Sequence, residues 1–156
     1  MASIHDSMGV AAAQRERDAR AGGPEAGDGL SKAGLAFVIL AGLLVAAVVI
    51  QIFIAGVAVF ADGTRWETHR SFVHTFEFLP LVMLVLALAA RLGRRLAILS
   101  GVLLVLIMAQ YALVELRTTD VAELAALHVV NAVAIYYASV QALRGGMKAL
   151  RRRAAS

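Results

Sequence analysis

Four long apolar runs dominate the chain, at about Ala33–Ala61, Trp66–Ala90, Leu96–Leu116 and Val121–Leu143. Each exceeds the roughly 20 residues a helix needs to cross a hydrocarbon core about 30 Å thick. None alternates in the manner of a barrel strand, which leaves helices as the spanning form that satisfies every backbone group. The connections Asp62–Arg65, Arg91–Arg95 and Arg117–Asp120 are short, and short links make consecutive helices antiparallel neighbours. The pattern predicts an all-α fold, an integral membrane up-down-up-down four-helix bundle occupying residues 32–144 as one domain. Residues 1–31, rich in Ala, Gly and mixed charge, read as a disordered cytoplasmic tail without the layout of a signal peptide. Residues 145–156 read as a basic cytoplasmic tail, with Gly145-Gly146 stopping the last helix. Thr64 with Glu67, and Asp120 with Glu123, fit capping boxes that would open the second and fourth helices alike.

Charge then orients the bundle. The N-terminal tail with Lys32 carries four Lys/Arg, the second connection carries Arg91, Arg94 and Arg95, and the C-terminal end carries five more. Only Arg65, Arg70 and Arg117 lie toward the other face. That excess predicts a multi-pass protein of the inner (plasma) membrane with both termini in the cytoplasm. Positive charge confined to connections and tails is a topology signal, and no basic helix face with interleaved aromatics points to nucleic acid. The partners implied are the lipid bilayer and other membrane subunits. The 156 residues are 60% hydrophobic and include no cysteine, which excludes disulfides, iron–sulfur clusters and covalent c-type haem attachment. Nucleotide loops, metalloprotease motifs and serine nucleophile elbows are absent, and the sequence nominates no catalytic residue.

Polar groups at membrane depth are costly unless paired. Those inside the runs are Gln51, His74, Glu77, Gln110, His128 and Asn131, with His69 near a boundary, and all fall in the outer half of the expected bundle. On the second helix Glu67, Arg70, Ser71, His74 and Glu77 recur at three- and four-residue steps and form one polar stripe facing the bundle interior or a wet cleft. His128 is eight residues past Asp120 and His74 ten past Thr64, which sets them within roughly 3 Å of one depth at 1.5 Å per residue. His69 would lie about 140° round the helix from His74 at 100° per residue.

The second and fourth helices of such a ring are diagonal, roughly 12–14 Å apart. That gap suits a ligand held from both sides. A b-type haem between His74 and His128 fits it, with His69 as the rival ligand, in a cytochrome b-like protein of electron transfer or redox sensing. Ala55, Gly56, Ala109 and Ala112 offer room, Arg65, Arg70 and Arg117 suit the propionates, and Glu77 would orient the His74 imidazole. Two other readings stand beside this one. The polar layer, Gln51, Gln110 and Asn131 included, serves helix packing alone in an accessory subunit. Alternatively, Glu77 and the histidines handle protons or small ions.

Gln51 with Gly56, Trp66-Glu67-Thr68-His69-Arg70, Gln110, and Leu127-His128-Val129-Val130-Asn131-Ala132 resemble one four-helix half of the haem A synthase family, and also small four-span bacterial membrane proteins. The resemblance covers residues about 35–143 and implies haem-ligating histidines on the second and fourth helices. It does not imply synthase activity, since only one half is present. The family's His-Arg pair corresponds to His69-Arg70, although its Glu-to-His spacing is longer than that of Glu67 and His69, whereas depth and the polar stripe point to His74.

Overall fold

The computed structural model describes residues 25–154 and is all-helical over them. Helix α1 spans Glu25–Phe60, α2 Arg65–Phe72, α3 Leu79–Ala89, α4 Arg94–Glu115 and α5 Leu127–Ala154, with 3-10 turns at Val73–Thr75, Leu116–Thr118 and Ala122–Ala126. These elements make four segments long and apolar enough to cross a membrane: Lys32–Phe60, Arg65–Ala89, Arg94–Thr118 and Ala122–Arg152. The first span packs against the second and the fourth, and the third also packs against the second and the fourth. The four therefore close a ring.

Three boundaries differ from the sequence pattern. The first helix begins at Glu25, inside the stretch expected to be a tail; residues 1–24 lie outside the described residues. Neither capping box forms. Thr64 donates its hydroxyl to Asp62 Oδ1 at 2.6 Å, tying the turn instead of capping α2, and the fourth span starts as a 3-10 turn after Val121. The same hydroxyl, with the Thr64 amide, holds the Asp62 carboxyl below the usual carboxylate range. That turn is consequently fully supported near neutral pH and loosens as pH falls through the Asp62 titration.

The third difference is Gly145-Gly146, which does not stop the last helix: α5 runs through both to Ala154. The pair serves close approach. A Cβ at Gly145 would lie 2.9 Å from a Leu96 methyl, and one at Gly146 would lie 3.0 Å from Val38 and 3.1 Å from the Phe37 ring. Lipid-embedded helices gain little from hydrophobic exclusion and associate through such backbone proximity.

The core has one rhythm. Phe37, Ala41, Leu44 and Val48 are buried on the first span, and Phe76, Pro80, Met83 and Ala87 on the second. Leu96, Ser100, Leu103 and Ile107 follow on the third, and Ile135, Ser139, Ala142 and Gly146 on the fourth. Every set repeats at four, three and four residues, the seam of interlocking helices. Ser100 and Ser139 return their hydroxyls to the carbonyls of Leu96 and Ile135 four residues back, so neither leaves a donor unpaired in the seam. At the link between the second and third spans, Leu92 N–H reaches the Ala87 carbonyl and Arg91 N–H the Leu88 carbonyl, the paired bonds of a Schellman ending. Arg91 takes the left-handed φ of 48° that this ending requires, and Gly93 at φ 120° opens the next helix.

The seam belongs to the half of the bundle that carries the basic connections. Toward the other end it thins: from Met108 to Ala134 no described residue is buried. We expect Gly146→Val to destabilise the protein by about 1–3 kcal/mol through overpacking against Phe37 and Val38. Gly101→Ala, whose added Cβ meets nothing within 4 Å, should be neutral or slightly stabilising. Denaturant titration followed by circular dichroism in detergent checks both.

Candidate functional site

The second span is not one helix. Pro80 has no N–H to give the Phe76 carbonyl, and Leu79 N–H takes that carbonyl instead. The chain passes through the 3-10 turn Val73–Thr75 and then Phe76, at φ −134°, before α3 begins. This break overturns the expectation of a continuous polar stripe, because residues before and after it no longer keep the helical 100° step. Glu67, Arg70 and Ser71 are exposed, and His69 instead is the half-buried polar residue of α2.

His69 is the histidine brought to His128. Their ring centres lie 6.4 Å apart, with the planes inclined at 57°. Trp66 meets His69 edge to face at 5.4 Å, one helical turn away. Gln51 Nε2 donates to the His69 carbonyl at 2.8 Å, linking the first span to the second. On the far side, His128 Nδ1 faces the Gln110 carbonyl at 3.3 Å. Asn131 Nδ2 donates to the Leu106 carbonyl and to Gln110 Oε1, both at 2.8 Å, linking the third span to the fourth. Two buried polar atoms here have no hydrogen-bond partner among the described residues: His69 Nδ1 and Gln51 Oε1. Buried polar atoms are nearly always paired, so these two stay open to a partner beyond the described residues.

His74 turns elsewhere. It sits just before the break with its side chain 63% exposed, and its Nδ1 faces Glu77 Oε1 at 3.1 Å. Tyr111 on the third span donates its hydroxyl to the other Glu77 oxygen. The described ring contact of His74 is with Tyr111, and that of His128 is with His69.

Arg70 pairs with Glu67 at 2.5 Å and Arg65 with Asp62 at 3.4 Å, so both cations already hold carboxylates of the chain. Gly56 faces open space, with nothing within 4 Å of an added Cβ. Among the described residues no three His, Cys, Asp or Glu side chains converge. The sequence signal for His69 over His74 was the His69-Arg70 pair, set against depth and the polar stripe. No such signal marked Tyr111, whose partner depends on the break.

Residues 51–119 match a model for a family of unknown function, DUF6220. That stretch, less than half of the chain, holds Gln51, His69, His74, Glu77, Gln110 and Tyr111 and ends before His128 and Asn131. No curated protein and no solved structure matches the chain.

The Gln110–Asn131 network yields a direct expectation. Asn131→Val should weaken the union of third and fourth spans by about 1–2 kcal/mol. Gln110→Ala should cost less, because Asn131 keeps its bond to the Leu106 carbonyl. Denaturant midpoints of the two purified variants check the order.

Proposed function

We propose that the chain is a multi-pass plasma-membrane protein that holds a b-type haem between His69 and His128 and serves electron transfer or redox sensing. Its spans alternate up and down, with both termini and the basic connections on the cytoplasmic side, which the charge excess supports. The haem then lies toward the opposite face.

The observation that carries this reading is the histidine pair. Imidazole is a common haem ligand, and His69 and His128 would be the residues that hold the group. Their ring centres lie 6.4 Å apart. Among the described residues no three metal-ligating side chains converge, so a metal would need a group that brings donors of its own, as a haem would, with His69 and His128 completing them. The Gln110 carbonyl beside His128 Nδ1 suits a tautomer whose Nε2 is the ligating nitrogen. A bound haem supplies one-electron chemistry. The chain supplies orientation through Gln51, Gln110 and Asn131, and an apolar surround that raises the cost of stray charge.

A cofactor-free accessory subunit is the second reading. Its support is that Gln51, Gln110 and Asn131 all bond across spans, as helix packing alone would require.

An absorption spectrum of protein purified from haem-replete cells separates the two. The haem reading expects a Soret band that His69→Ala and His128→Ala each abolish and His74→Ala retains. A wild-type spectrum without the band sinks it and leaves the accessory subunit.

A further inference from the structure

A second polar cluster lies outside the histidine pair and takes no part in the proposed haem site. His74 Nδ1 and the Tyr111 hydroxyl engage the two oxygens of the same Glu77 carboxylate, from the second and third spans. The two rings are within 20° of parallel, with centres 6.5 Å apart. The Glu77 side chain is only 14% exposed, while His74 is open. The cluster is therefore a carboxylate base flanked by two aromatic faces.

Its surroundings decide what can reach it. His74 is nine residues past Arg65 and Tyr111 seven before Thr118, roughly 10–14 Å from the ends of their spans at 1.5 Å per residue. Exposed residues to one side of the cluster are apolar, Phe78 and Val82 on the second span and Val105 and Met108 on the third, while Arg70, Ser71 and Thr75 are exposed on the other side. This placement suits a ligand with an apolar part toward Phe78 and Val105 and a polar part toward Arg70 and Thr75. Non-helical backbone at membrane depth, as at Val73–Phe78, is tolerated where it is covered by protein or lines a cavity, and broken spans are where membrane proteins build binding sites.

The donor pattern narrows the ligand further. A carboxylate facing Nδ1 makes that nitrogen the protonated one and leaves Nε2 as an acceptor on the open side. Glu77 retains lone pairs beyond the two already used, and flat rings stack on His74 and Tyr111. A phospholipid does not fit: its polar groups stay at the interface, and its phosphate would meet the Glu77 carboxylate. A neutral planar ring carrying hydroxyls on an apolar tail fits every feature.

We propose that His74, Glu77 and Tyr111 form a lipid-facing site for the hydroxylated aromatic head of a membrane-soluble quinol. A ring hydroxyl donates to His74 Nε2, Glu77 fixes the imidazole, and the ring stacks beside Tyr111. This assignment stands independently of haem at His69 and His128.

Titration calorimetry of the full chain in phosphatidylcholine nanodiscs with decylubiquinol, kept reduced under argon, tests it. Wild type should bind one quinol per chain saturably, and the dimethyl ether of the same quinol should bind at least tenfold more weakly, about 1.4 kcal/mol. His74→Ala and Glu77→Gln should each lose at least tenfold. Photolabelling of wild type with an azidoquinone requires no variant and should mark residues 74–82 or 105–111. Absence of saturable binding, equal affinity in both variants, or labelling confined to other residues overturns the proposal. The Soret band, read on the same samples, reports the histidine pair separately.

Discussion

Helices in lipid lack the solvent exclusion that drives soluble cores together, so they must be held by shape at one place and by hydrogen bonds at another. This protein divides the two means along its length. In the half with the basic connections, Gly145 and Gly146 bring α5 against Leu96, Phe37 and Val38, and buried residues recur at four, three and four steps on every span. In the other half almost nothing is buried, and the spans are joined by Gln51 to the His69 carbonyl, Asn131 to the third span, and Tyr111 to Glu77. The polar chemistry of the chain sits where packing is thin.

The second span shows how one residue type directs two clusters. Pro80 removes a hydrogen bond, the backbone departs from the helix between Val73 and Phe78, and His69 and His74 end on different flanks. His69, half-buried, meets His128, whereas His74 is exposed and contacts Glu77 and Tyr111. Phe72 and Phe76, with ring centres 5.6 Å apart, bridge the break between the two environments.

The four membrane-length helices were legible in hydrophobic length alone, because a run longer than a bilayer has few other solutions. Their polar half was legible too, since each of Gln51, His69, His74, Glu77, Gln110, His128 and Asn131 stands out against Leu, Val and Ala. Which histidine faces which was not legible from a regular helical wheel, which assigns His74 to the interior by assuming an uninterrupted second span. Pro80 was the visible warning. Gly145-Gly146 misled for a different reason: glycine both ends helices and lets them touch, and only the partners Leu96, Phe37 and Val38 decide between these uses. The Thr64 capping box failed because Asp62, two residues before it, competes for its hydroxyl, and the Asp120 box failed because the fourth span opens as a 3-10 turn after Val121.

The irregular stretch from Val73 to Phe78 also bears on how such a chain can vary through descent. Within a regular span, inserting or deleting one residue turns everything beyond it by about 100° and unseats the core. Here the backbone is already out of register between two separately anchored parts, with α2 held through Gln51 and α3 seated by Pro80, Met83 and Ala87. A change of length in this stretch re-aims His74 and Glu77 while His69 keeps its place opposite His128. The exposed His74–Glu77 pair is thereby decoupled in register from the His69–His128 pair.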